Sequence, residues 1–252
     1  MGNYSEIFKR KSFHLFKDTE AISNSELEEI LAFVKTITPL DSSIKTEIRI
    51  VPESETTCKR GSQYCIEFYS EEKGNYLRNI GYIGEQIDLY LTSRNIGTLW
   101  FGIGKPDLQE VDGLPFIIMI AFAKVPETSF RKDMFKAKRK AEEEVWHGSS
   151  MEGTSDIVRF SPSACNTQPW IVENTGDSLL VYRYKKSGKR GIMPADKVLF
   201  YNRIDIGIFL FILETCLSHN NYDFDATQYF EDTQDSAEKT LVARYLLKRR
   251  IG

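Results

Sequence analysis

The feature that most constrains this chain is an echo of its first half in its second, at one fixed offset. Pro39 is answered by Pro162, 123 residues later, and Gly84 by Gly207 at the same spacing. Ser43 falls on Asn166. Both prolines follow a helical or turn segment and precede a strand, and both glycines sit early in an apolar helical stretch. Identity between the copies is low, so two ordinary strand-then-helix stretches are the competing explanation. A constant offset favours two structurally similar halves with no net insertion between them. The length, 252 residues, suits one large domain or two small ones. The expected fold is α+β: a sheet flanked by helices in each of two halves, 1–148 and 149–252, related by a pseudo-twofold axis.

The composition is globular. Apolar residues make up 41% and charged residues 27%, which excludes a mainly disordered chain. A net charge of −3 is no footprint for general nucleic-acid binding, though it leaves room for a local basic pocket that holds one phosphate. Four cysteines, Cys58, Cys65, Cys165 and Cys216, are too few for a disulfide scaffold and read as free thiols. His14, His147 and His219 lie too far apart in sequence to suggest a metal cluster.

The start, MGNYSEIFKRKSF, lacks the apolar core of a secretory signal, and Glu6 stands where a myristoylation motif wants Ser or Thr. The apolar runs 114–123 and 204–213 are shorter than the ~20 residues of a bilayer span, and Asp205 interrupts the second. The expectation is a soluble, cytoplasmic protein with no membrane or nucleic-acid partner.

Periodicity places a short helix at 4–10. A second helix follows Ser23 or Asn24, with Leu27, Ile30, Leu31 and Val34 on one face, and ends at Pro39. Strands are expected at 44–51 and 63–70, and a helix over 80–95 with Gly97 as its C-terminal breaker. The run 116–123 reads as a buried strand. Residues 131–145 are strongly charged, the usual mark of a solvated face. Residues 148–155 form a loop, 171–184 hold two short strands, 203–218 an apolar helix, and 236–250 a helix with a basic end.

Three segments carry chemistry. Lys9-Arg10-Lys11-Ser12, with His14 beyond, clusters cationic and hydroxyl donors within one turn. Gly97-Thr98-Leu99-Trp100-Phe101-Gly102 alone reads as a helix cap that enters a core strand. It is no Walker loop, because no Lys directly follows Gly102 and no Ser or Thr follows Lys105. Ser161-Pro162-Ser163-Ala164-Cys165-Asn166-Thr167-Gln168-Pro169-Trp170 is the most specific of the three. Together these resemble the flavin-dependent nitroreductase family: its N-terminal R-R-S-x-R element, its G-T-x-W-x-G element and its A-P-S-x-x-N-x-Q-P-W signature. Arg139-Lys140-Ala141-Glu142-Glu143 is similar to the basic segment near the end of family members. Among them, the chain resembles those that hold two nitroreductase-like halves.

The resemblance implies bound FMN, and the residue types agree with that. A dianionic phosphate needs converging cationic and N–H donors, and arginine supplies a bidentate fork. Arg10, Lys11, Ser12 and Arg139 have that chemistry, with His14 a pH-sensitive addition. Pro162 belongs to the signature, small Ser163 and Gly102 allow close approach to a flat ring, and Asn166 can bond its polar atoms. The resemblance puts Leu99, Trp100 and Gly102, in a 97–102 loop, near the reactive edge of the ring. No side chain stands out as catalytic, because the flavin itself carries the electrons.

In ordinary members the R-R-S and P-S-x-x-N elements lie about 30 residues apart, whereas here 39–43 lacks the Asn and Q-P-W, and the good copy comes 123 residues later. Ordinary members are homodimers with shared sites. A chain with one element in each half therefore implies one FMN site per chain, and a monomer or a dimer through a different interface. The expected activity is NADH- or NADPH-dependent reduction of a small acceptor such as a nitroaromatic or quinone. The alternative is an FMN-binding sensor or carrier without turnover.

Overall fold

In the computed structural model the described residues are 4–184, 191–229 and 238–250. They fall into two compact units, 5–134 and 135–250, with Tyr4 grouped in the second. Residues 135–148 group with the second unit.

The first unit contains α1 (Tyr4–Lys9, from residue 5 on), α2 (Asn24–Val34), β1 (Thr46–Pro52), β2 (Tyr64–Ser70), α3 (Tyr76–Ser93), β3 (Ile96–Trp100), β4 (Glu110–Val111) and β5 (Leu114–Lys124). α2 starts where its cap dictates. Glu26 N–H donates to Ser23 Oγ at 3.2 Å, and Ser23 N–H donates back to Glu26 Oε2 at 2.9 Å. This reciprocal box satisfies two donors that the first turn leaves without helical partners. The sheet runs β1-β2-β5-β3, all antiparallel, with the short β4 on β5. β5 is central and buried from Ile117 to Ala123, which explains its unbroken apolar sequence.

The second unit contains α4 (Glu142–Val145), β6 (Trp146–His147), α5 (Ser155–Val158), β7 (Trp170–Asn174), β8 (Ser178–Tyr184), α6 (Val198–His219), β9 (Tyr222–Gln228) and β10 (Lys239–Arg249). Its sheet runs β6-β7-β8-β10-β9, with β6 parallel to β7 and the rest antiparallel. The fold is thus mixed α+β.

With β4, β6 and the helices ahead of β1 and β7 set aside, each unit reads strand, strand, helix, strand, strand. Each sheet seats those strands in the order first, second, fourth, third. The 123-residue offset relates β1 to β7 and α3 to α6, but not β2 to β8. The β1–β2 connection is 53–63 and the β7–β8 connection 175–177, eight residues shorter. The next connections, 71–75 and 185–197, differ by eight in the other direction. Two compensating length changes lie under the constant spacing.

Three expectations are corrected. Gly97 does not end a helix: α3 stops at Ser93, Asn95 takes the left-handed turn at φ +58°, and Gly97 pairs with Ala123 inside β3. A glycine is needed there because a Cβ would come 2.8 Å from the Phe13 ring. For the same reason 97–102 is no loop over its first four residues. The tail is β10 rather than a helix, because pairing to β8 and β9 on both sides overrides its helix-forming composition. Positions 236 and 237 of the expected tail helix lie outside the described residues.

Candidate functional site

In the first unit, the N-terminal element runs beside β3. Ser12 bridges Thr98 in parallel, and Phe13 N–H donates to Thr98 O at 2.9 Å. Arg10 is 5% exposed. Its Nε donates to Asp88 Oδ2 at 2.7 Å and stands 3.8 Å from Glu85 Oε1. Asp88 also accepts from Thr98 Oγ1 at 2.5 Å and Trp100 Nε1 at 3.1 Å. Arg10 is therefore engaged with a buried carboxylate, not presented as a free fork. Burial, and then the Asp88 charge, push the Glu85 carboxyl well above the usual range, against the pull of Arg10. Burial and the Asp88 charge together outweigh the Arg10 charge at Glu85.

Trp100 stacks on Phe68 with centroids 6.2 Å apart, and Leu99 is buried opposite Ala121. Gly102 is half-buried after β3, Lys11 Nζ lies 4.6 Å from the Phe13 ring centre, and His14 is exposed. Of the expected residues in this unit, the structure links Arg10 to Trp100 through Asp88 and Ser12 to Thr98. Glu85 and Asp88 went unnoticed in the sequence, although two acids in an otherwise apolar helical stretch signal buried charge.

The second unit holds a different arrangement. Residues 163–168 form a tight turn in which three non-glycine residues are left-handed: Cys165 at φ +49°, Asn166 at +56° and Gln168 at +49°. Each such residue costs on the order of 1–3 kcal/mol and persists only where its surroundings over-determine it. Here they do so from three directions. Within the turn, Gln168 N–H donates to Ser163 Oγ at 3.0 Å. From α6, Asp205 Oδ1 accepts Ala164 N–H at 2.9 Å, and Thr167 Oγ1 lies 3.2 Å from Asn202 Oδ1 and 3.4 Å from Asp205 Oδ2. From the basic run, Arg139 Nη1 donates to Asn166 Oδ1 at 2.9 Å, Asn166 Nδ2 donates to Lys138 O at 3.2 Å, and Lys140 Nζ donates to Gln168 O at 2.7 Å. Buried Pro162 precedes the turn, and fully buried Trp170, stacked on Phe209 at 4.9 Å, follows it.

Beside the turn lies a cavity of about 330 Å³. Lys138, Arg139, Lys140, Asn166, Gln168 and Tyr184 are among its walls. Burial raises the Asp205 carboxyl to about 8, against the lowering effect of the Ala164 N–H and Thr167 hydroxyl. Expected Arg139, Ser163 and Asn166 thus come together within one unit. Arg139, expected with the first half, joins the second because its segment is bonded to the turn. Lys140, Gln168 and Asn202 were missed. Asp205 had a signal in the sequence, as the one acid that breaks the 204–213 run.

The first unit has a plainer counterpart. Asp41 N–H donates to Asn79 Oδ1 on α3 at 3.0 Å, and Ser43 N–H to Asp41 Oδ1 at 2.9 Å. Asn79 and Asn202 stand 123 residues apart. The segment 39–44 contains no left-handed residue.

Among the described residues, no group of three or more His, Cys, Asp or Glu side chains could hold a metal ion, and no helix is long and apolar enough to cross a membrane.

No curated protein matches the sequence. Among solved structures, a "putative nitroreductase" from Thermotoga maritima aligns over 98% of this chain and 93% of its own, with a TM-score of 0.62 and 18% identity. The two therefore share a fold. A nitroreductase family protein from Clostridium difficile aligns over 59% of this chain and 98% of its own, at TM-score 0.44 and 12% identity. A nitroreductase with bound FMN from Desulfitobacterium hafniense aligns over 56% of this chain and all of its own, at TM-score 0.42 and 15% identity. A family model described as "Putative TM nitroreductase" matches residues 3–216, most of the chain, which therefore belongs to that nitroreductase family.

Proposed function

We propose that this protein is an FMN-dependent oxidoreductase that takes electrons from NADH or NADPH and reduces a small acceptor such as a nitroaromatic or quinone. The observation that carries the reading is the cavity of the second unit, where the signature turn and the run Lys138–Lys140 meet. Its donor chemistry suits FMN: three adjacent cationic side chains beside amide groups match an anionic phosphate. FMN, when bound, supplies the hydride and electron transfer.

Arg139 and Asn166 touch, so they serve the same end of the ligand, whereas their motifs had suggested opposite ends. Lys138, Arg139 and Lys140 hold the phosphate, Asn166 orients the Arg139 guanidinium, and Ser163 fixes the backbone of the turn. The N-terminal Arg10, Lys11, Ser12 and His14, with Leu99, Trp100 and Gly102, remain contributors on the strength of their motifs alone.

The shared strand order supports reading the chain as two fused nitroreductase-like halves with a pseudo-twofold relation and α3 and α6 in equivalent places. With the Lys9–Ser12 element in one half and the Ser161–Trp170 signature in the other, it implies one FMN per chain. It also implies a monomer, or a dimer through a surface other than the family's, which light scattering tests.

The decisive experiment is purification followed by flavin spectroscopy. A yellow protein whose bands bleach on addition of NADH or NADPH supports the enzyme. Bound flavin without bleaching points to a carrier, and no flavin uptake rejects the reading. Charge-assisted hydrogen bonds are each worth about 1.5–3 kcal/mol. Arg139→Ala should accordingly weaken FMN binding roughly 10- to 100-fold, since 1.4 kcal/mol is a factor of ten. Ser43→Ala, at the repeat position of Asn166, should leave flavin content unchanged. Two FMN per chain would break the one-site reading.

A further inference from the structure

We propose that Asp205 is a positioning residue, which with Asn202 locks the 163–168 turn in the shape that lets Asn166 orient the Arg139 guanidinium toward the cofactor. The proposal rests on the flavin reading above. Its structural half, the lock itself, can be tested without flavin.

Three observations converge on it. First, the turn is strained at Cys165, Asn166 and Gln168, so something outside must hold it. Second, Asp205 reaches both ends of the strained stretch: Oδ1 takes the Ala164 N–H at 2.9 Å, while Oδ2 lies 3.4 Å from Thr167 Oγ1. Third, Asp205 is 3% exposed, and no cation pairs with it among the described residues. A buried carboxyl without a counter-charge is costly unless its hydrogen bonds require it. All the bonds it makes go to the turn.

The protonation state suits this task. The carboxyl is pushed up by burial to about 8, so it is mostly the neutral acid at pH 7. Thr167 has one hydroxyl proton and three acceptors within reach: Ala164 O at 3.0 Å, Asn202 Oδ1 and Asp205 Oδ2. A protonated Asp205 can donate to Thr167 Oγ1, which frees the threonine proton for Ala164 O or Asn202. That closes a ring of bonds around the turn. On α6, Tyr201 stands one helical turn before Asp205, and Cys165 lies on the turn. Arg139 Nη1 donates to Asn166 Oδ1, and Lys140 Nζ donates to Gln168 O.

Cys165 offers a direct probe, because it is exposed on the turn while Cys58, Cys65 and Cys216 are buried. The experiment compares full-length wild type, Asp205→Asn, Asp205→Ala and Thr167→Val. Two quantities are measured on each: the alkylation rate of Cys165 with iodoacetamide at fixed pH, and FMN affinity. Asp205→Ala should speed alkylation and weaken FMN binding, each about tenfold, the scale of one lost buried hydrogen bond. Thr167→Val should shift both in the same direction by less. Asp205→Asn keeps an acceptor for Ala164 and a donor for Thr167, so it should restore both to within about threefold of wild type. Wild-type FMN affinity should fall as pH rises through about 8, while that of Asp205→Asn stays flat.

Wild-type alkylation in Asp205→Ala overturns the lock. A folded Asp205→Asn that behaves like Asp205→Ala overturns the hydrogen-bonding role. If Asp205→Ala does not fold, Thr167→Val and Asp205→Asn decide by the same criteria. If no variant, wild type included, binds FMN, the flavin reading fails while the alkylation rates still judge the lock.

Discussion

Helices α3 and α6 follow the same pair of strands in their units, yet they spend their buried polar groups differently. α3 buries Arg78, Asn79, Glu85 and Asp88. Two of these, Glu85 and Asp88, meet Arg10, while Asp88 also binds Thr98 and Trp100. α6 is more apolar, and its buried Asn202 and Asp205 both face the 163–168 turn. The first helix uses charge to knit core elements together, and the second uses one acid to shape a loop. One unit thus holds an internal ion-pair cluster, and the other a strained turn beside a cavity. Three left-handed residues cluster in 163–168, whereas 39–44 contains none.

This contrast can be broken most forcefully at Asp88. Asp88→Ala removes the acceptor of three hydrogen bonds and leaves the buried guanidinium with only the more distant Glu85, so it should destabilise the protein by about 3–5 kcal/mol. Urea denaturation followed by circular dichroism reads the loss, and a change below about 1 kcal/mol would mean that the cluster is not structural.

Next comes pH. Asp205 is raised to about 8 in the folded protein, from an ordinary value of 3.8, and Glu85 is raised as well. A folded-state pKa above the unfolded one means that the folded protein holds the proton more tightly. Its contribution to stability is fully present below about pH 4 and is lost as pH rises through about 8. The loss per group is at most about 1.4 kcal/mol per pH unit. Glu26, lowered to about 2, acts in the opposite sense, but only below that window. Asp205→Asn should flatten part of the slope and Glu85→Gln another part. Equal slopes in wild type and both variants would refute the assignment.

Gly84→Ala tests the packing of α3. A Cβ there would run into the Trp100 ring, and overpacking of this kind costs about 1–3 kcal/mol. A near-neutral change in Tm would show that Trp100 is free to move. The smallest effect lies outside both helices: Ser23→Ala removes the α2 capping box and should cost about 1 kcal/mol, with FMN binding untouched.

Much is legible in the sequence alone. The α2 cap, the strands near 44–51 and 63–70, the buried run at 116–123 and the apolar helix of the second unit follow from local chemistry and periodicity, which short-range bonds and burial enforce directly. The turn motif was legible as well, as a string of residue types. What the residues at the site touch was not. That Arg10 faces inward to Asp88 depends on strand β3 bringing Thr98 and Trp100 alongside it. That Arg139 lies against Asn166 depends on a segment 27 residues earlier in the chain packing onto the turn. The tail, helical by composition, became a strand because two neighbouring strands had unpaired edges to offer. The sequence by itself determined where hydrophobic faces, caps and motif residues lie, because those rest on neighbours within a few positions. Only tertiary structure decided which charges are buried and which turn is strained, because desolvation and long-range pairing arise when distant segments meet.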